Sequence, residues 1–170
     1  MKKLLQRSLA LTLALLMIFS VSTTALAADY SSKINSIMSS FSRQNSSASS
    51  AAQQQVNGSY RTVELLEIIA QEKGCSSTSI SSIHSTFTRQ NSSAKSAPQQ
   101  LVNGTYRTVE LLELIALKIG CSSTSVKSIM SSYSRQNSSA KSAPQQAVNG
   151  TYRTVELLEL IARKWNGFSF

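Results

Sequence analysis

The chain has 170 residues, 41% hydrophobic and 15% charged, with 17 basic against 8 acidic side chains and a formal charge of +9. One histidine, His84, and one aspartate, Asp29, are too thin an acid–base inventory for a Ser-His-Asp arrangement or a zinc-type cluster. The basic residues are spread singly along the chain, a bias compatible with weak attraction to polyanions but not a nucleic-acid footprint.

Residues 1–27 read as a secretory signal of bacterial style. Lys2, Lys3 and Arg7 form a positive start, and Leu9 to Phe19 is apolar apart from Thr12. Ala25-Leu26-Ala27 has the small-x-small form cut by signal peptidase, which predicts cleavage after Ala27 and a secreted or extracytoplasmic product. The alternative is a retained anchor, but the apolar run is short for a span, which needs about 20 residues. No later stretch is apolar enough to cross a bilayer, so no transmembrane span is expected in the mature chain.

Behind the leader the sequence repeats itself three times. Phe41, Phe87 and Tyr133 are 46 residues apart, and Arg-Gln-Asn-Ser-Ser-Ala recurs at Arg43–Ala48, Arg89–Ala94 and Arg135–Ala140. Tyr-Arg-Thr-Val-Glu-Leu-Leu-Glu recurs at Tyr60–Glu67, Tyr106–Glu113 and Tyr152–Glu159. The boundaries read as repeat 1 at 28–74, repeat 2 at 75–120, repeat 3 at 121–166 and an aromatic tail at 167–170. The fold class this predicts is all-α: three tandem 46-residue helical-hairpin repeats, each a long helix, a short helix and an amphipathic helix, stacked as a short solenoid or elongated bundle.

Within repeat 2, Gly74 stops the preceding helix and Cys75–Ser79 is a turn rich in capping residues. Ile80, Ile83 and Phe87 then recur at helical spacing on a Ser, Thr, Asn and Gln background, and the helix is expected to end near Ala94 or Lys95. Pro98 suits the start of a short helix, with Asn103-Gly104 as its stop. Ala51-Ala52 replaces the proline segment in repeat 1, where the two pieces are expected to merge. Thr105 or Thr108 is expected to cap the last helix, whose Val109, Leu112, Ala116 and Ile119 form one stripe, broadened by Leu111, Leu114 and Ile115. So wide an apolar arc predicts more than one partner helix. The aromatics at the end of repeat 3, from Trp165, read as a cap over the last helix or as an exposed anchor.

Cys75 and Cys121 occupy one slot in successive repeats. Stacked helices sit about 8–10 Å apart, and a disulfide needs Cα atoms within about 7 Å. The readings are a small apolar residue at a helix end, a bridge between molecules, or an internal bridge through tilted packing. His84 shares its slot with Met38 and Met130, which reads as a packing position on a helix side. Two Asn-x-Ser/Thr sequons per repeat, at Asn45 and Asn57, Asn91 and Asn103, and Asn137 and Asn149, read as inert behind a bacterial leader.

No catalytic, cofactor or metal residues are assigned, and an enzyme is not expected. The candidate binding residues are the recurring amides and guanidinium groups: Arg43, Gln44, Asn45 and Arg61; Arg89, Gln90, Asn91 and Arg107; and Arg135, Gln136, Asn137 and Arg153. Such groups suit hydroxyls, carboxylates or phosphates, and repetition multiplies a weak contact. Recent duplication explains the same identities without selection. The function expected is non-enzymatic binding or assembly at the cell surface or outside, to an envelope glycan or other polymer, a surface protein or a second copy, with no nucleic-acid partner. The rival expectation is a membrane-active, toxin-like cationic protein acting through its apolar helix at Val109–Ile119.

Overall fold

The computed structural model describes residues 30–165, which fall in two units, 30–39 and 40–165. The leader read at 1–27 and the tail at 167–170 lie outside the described residues. Among the described residues every regular element is an α-helix and there is no strand. In chain order these are α1 (30–46), which crosses the boundary between the two units, α2 (Ala51–Glu72), α3 (Ser77–Ser93), α4 (Ala97–Lys118), α5 (Ser123–Ser139) and α6 (Ala143–Trp165).

The helix ends follow local chemistry. Gly74 and Gly120, at φ +72° and +85°, take the left-handed conformation that stops α2 and α4. Ser76 and Ser122 cap the next helices by accepting from the backbone N–H three residues on. α3 ends at Ser93, as the sequence led one to expect, and Pro98 lies in the first turn of α4.

Three expectations about the breaks fail. Asn103-Gly104 does not stop a short helix, because α4 runs unbroken for 22 residues through it. Neither Thr105 nor Thr108 is a cap, since both lie inside α4. Each repeat therefore has two helices rather than three. Nor do the pieces of repeat 1 merge. Ser46 and Ser47 bond back to the carbonyls of Arg43 and Gln44, and Ser50 caps α2 by accepting from the Gln53 N–H. These hydroxyls compete with the ladder and hold the turn without proline.

α3 packs on α4 and α5 on α6 as hairpins, while α4 is flanked by both α2 and α6, its two largest contacts in the unit. The glycines locate those flanks. A Cβ added at Gly104 would lie 1.6 Å from Ser59 Oγ on α2, and one at Gly150 would lie 2.8 Å from Thr105 Cβ on α4. Gly104, Leu111 and Ile115 thus share the side of α4 that meets α2. Thr105, Val109, Leu112 and Ala116 share the side that meets α6. These four large apolar residues and Ala116 are at most 1% exposed, and a fully buried Leu or Val contributes about 1.5–3 kcal/mol. The two stripes are one residue out of step, about 100° around the helix, so α2 and α6 lie on adjoining sides of α4. Their C-terminal ends converge, with Lys73 Nζ 4.3 Å from the Trp165 ring centroid. Aromatic pairs join each hairpin to the next: Tyr60 of α2 on Phe87 of α3 and Tyr106 of α4 on Tyr133 of α5, at centroid distances of 4.8 and 4.9 Å.

Gly58, in the same slot as Gly104 and Gly150, has nothing within 4 Å of an added Cβ. Substituting Gly150→Ala should cost about 1–3 kcal/mol, because Thr105 cannot yield without moving the helix. Gly58→Ala should raise stability by about 0.5–1 kcal/mol through helix propensity alone. Urea unfolding of the two variants beside the parent measures this opposite pair of signs.

Candidate functional site

The recurring polar residues come together within each hairpin. Arg107 on α4 is 6% exposed. Its Nη2 donates to Gln90 Oε1 on α3 at 2.8 Å, and its Nη1 pairs with the Glu110 carboxylate one turn on. Repeat 1 has the same arrangement: Arg61 Nη2 donates to Gln44 Oε1 at 2.8 Å, and Nη1 pairs with Glu64. In repeat 3 Arg153 meets Gln136 at 3.4 Å and Glu156 at 2.5 Å.

The asparagines are deeper. Asn103 Nδ2 donates to Asn91 Oδ1 at 3.1 Å, and Gln99 Nε2 donates to Asn103 Oδ1 at 3.3 Å. Asn149, Asn137 and Gln145 repeat this at 3.1 and 3.2 Å. Repeat 1 keeps only the bond from Gln53 to Asn57, and Asn45 Oδ1 is buried without a partner. An open cleft of about 430 Å³ lies there, lined in part by Gln44, Gln53, Asn57, Tyr60 and Arg61.

Of the twelve candidate binding residues, then, six pair with one another. Arg61, Arg107 and Arg153 clasp the hairpins through Gln44, Gln90 and Gln136. Asn91 and Asn137 are buried, and Asn45 is half-buried. Gln44, Gln90 and Gln136 are exposed but tied to those arginines, and Arg43, Arg89 and Arg135, one on the first helix of each repeat, are exposed outside the clasp; the Arg135 side chain meets Ser132 of its own helix at 3.5 Å. Asn57, Asn91, Asn103, Asn137 and Asn149 are 5–8% exposed, so five of the six sequons are closed to a glycan in the folded chain.

His84 is not a packing residue. Its ring is 55% exposed and Nδ1 lies 2.9 Å from Glu67 Oε1 on α2. Burial lifts the Glu67 carboxyl above its ordinary value, and the His84 contact opposes that shift. Glu113 is likewise raised by burial and then by Glu110. Cys75 and Cys121 are both free thiols, half-buried against the core, and burial raises both. Cys121 Sγ donates weakly to the Leu160 carbonyl at 3.6 Å. The structure contains no bridge between them, and they serve as small, mostly apolar residues at helix ends. Among the described residues no three His, Cys, Asp or Glu side chains gather as a metal site, and no helix is long and apolar enough to cross a membrane.

No known family model, characterised protein or solved structure matches this chain. The site is therefore read from its own chemistry.

Two measurements follow from this geometry. Arg107→Ala should cost about 2 kcal/mol, because it removes a buried side chain that packs in the hairpin and clasps Gln90 and Glu110, whereas Arg89→Ala should change stability by less than about 0.5 kcal/mol; chemical denaturation compares them. Tyr133 supplies a pH signature. Its phenol is 1% exposed, and burial first, then Tyr106, push its pKa far above the ordinary value of 10.0. The unfolded chain then releases that proton before the folded chain does. Its stabilisation is complete below pH about 10 and is lost as pH rises beyond it. Tyr133→Phe, which copies Phe87 of repeat 2, should keep stability within about 1 kcal/mol at neutral pH and flatten the alkaline loss in melts between pH 9 and about 11.

Proposed function

We propose that the chain is an exported, non-enzymatic binding protein in which three helical hairpins stack as a short solenoid. Its recognition surface is the series Arg43, Arg89 and Arg135. The observation that supports this reading is the division of labour among the conserved-looking polar residues of each repeat. One arginine is spent inside the hairpin on Gln and Glu, and the other is held outward at the same slot in every repeat. An outward guanidinium at a regular interval suits an anionic or hydroxyl-rich polymer of the cell envelope, whose own repeat lets weak contacts add by avidity. The leader at 1–27 and the position of its cleavage motif after Ala27 agree with work outside the cytoplasm.

The second reading is a membrane-active protein. The apolar helix it invoked, Val109–Ile119, has Val109, Leu111, Leu112, Ile115 and Ala116 buried between α2 and α6.

Replacing Arg43, Arg89 and Arg135 together by Ala should lower retention on purified envelope polymer by at least about tenfold and flatten its salt dependence. The melting temperature should stay near that of the parent, since all three side chains are exposed. Undiminished co-sedimentation of the triple variant with envelope polymer would refute the reading.

A further inference from the structure

One stripe recurs in the second helix of every hairpin and meets two different fates. In α2 it is Val56, Tyr60, Val63 and Leu66, and in α4 it is Val102, Tyr106, Val109 and Leu112. Its valines and leucines are 9% exposed or less in both helices. In α6 the same slots are Val148, Tyr152, Val155 and Leu158, exposed by 47, 63, 60 and 46%. Nothing in the residue types differs. The α2 and α4 stripes are covered by the following hairpin, and among the described residues no helix covers the α6 stripe.

The mating face shows the same asymmetry at the other end. α4 and α6 present a glycine, then a Leu and an Ile, to the second helix of the preceding repeat, α2 and α4 respectively: Gly104, Leu111 and Ile115, then Gly150, Leu157 and Ile161. All six are buried, and both glycines are close against a side chain of that helix. α2 carries the same three as Gly58, Leu65 and Ile69. There the glycine notch is empty, Leu65 is half-buried and Ile69 is 39% exposed.

We infer that these two open faces form an interface between copies of this chain: the α6 stripe of one molecule seats the Gly58 face of α2 of the next. The occupant is specified by continuity with the contacts inside the molecule. Ser59 lies at the Gly104 notch and Thr105 at the Gly150 notch, so Thr151, one residue before Tyr152, is the side chain that the Gly58 notch would accept. The two faces differ from each other, so the contact is head-to-tail and each added copy leaves one face of each kind still open. A row of apolar side chains this exposed on one helix marks an interaction surface. This inference uses none of the arginines assigned to polymer binding and stands apart from that reading.

The test is sedimentation equilibrium of the chain in the form the producing cell accumulates, with two variants placed where the monomer tolerates change. Val155→Glu adds a charge to a 60% exposed position, and Gly58→Leu fills a notch with no neighbour within 4 Å. The parent should show a weight-average mass that climbs steadily over about two decades of concentration. Each variant alone should lose association by at least about tenfold with unchanged helical circular dichroism. Mixed together they should form a one-to-one dimer and nothing larger, because each retains one intact face. A parent that stays monomeric throughout overturns the proposal. So does a Gly58→Leu variant that associates like the parent while Val155→Glu does not, which would mean symmetric pairing through α6. A monomeric parent that binds anionic phospholipid vesicles, with binding lost in Val155→Glu, would make a membrane the occupant and also overturn it.

Discussion

The fold depends on two close helix approaches, at Gly104 over Ser59 and at Gly150 over Thr105. Removing the Cβ brings the backbones near enough for Leu111, Ile115, Leu157 and Ile161 to be buried along the same line. Each glycine weakens its helix by about 1 kcal/mol relative to alanine, and the apolar area covered along the stripe offsets that several-fold. Since the stripe that meets α2 and the stripe that meets α6 adjoin on α4, the middle helix is enclosed on both sides. It accordingly holds four of the eight largest fully buried side chains, Val109, Leu111, Leu112 and Ile115.

The polar network sets what the apolar packing leaves free. An Asn103 amide that must find Asn91, and an Arg107 that must find Gln90 and Glu110, fix the register of α3 on α4. Sliding the hairpin by one turn would strand these groups in a dry place, which costs about 1–3 kcal/mol for each neutral group and more for the charge. The same network turns Asn91 inward, ties the exposed Gln90 to Arg107 and leaves Arg89, next to them in sequence, facing out. Adjacent residues on a helix point about 100° apart, so a tripeptide that recurs as a block is split between core and surface.

The helical class, the glycine stop at Gly74, the capping residues that follow it and the width of the apolar arc on α4 were all legible in the sequence. They arise from local chemistry and from periodicity. The supposed stop at Asn103-Gly104 was misread because Asn-Gly has two physical uses. One is a turn, and the other is a buried amide beside a close backbone approach. A signal for the second was present: Val102, Tyr106, Val109, Leu112 and Ala116 keep one unbroken helical phase across the glycine. The inward pairing of Arg61, Arg107 and Arg153 was not legible. It depends on the rotation of one helix against its neighbour, seventeen residues away in sequence, and repetition alone gives equal support to a buried clasp and to an exposed contact.

Asn-Gly is also the dipeptide at which proteins age fastest, by attack of the glycine amide nitrogen on the asparagine side chain to form a cyclic imide. Here the dipeptide occurs four times; Asn166-Gly167 lies outside the described residues, and each of the other three copies is wound into the middle of a long helix. The helical backbone holds that nitrogen away from the side-chain carbonyl, and in two of the three copies the asparagine amide is further tethered to another asparagine. The folded chain would thereby keep these three perishable linkages intact for as long as it stays folded, and unfolding would start the chemical clock at each of them.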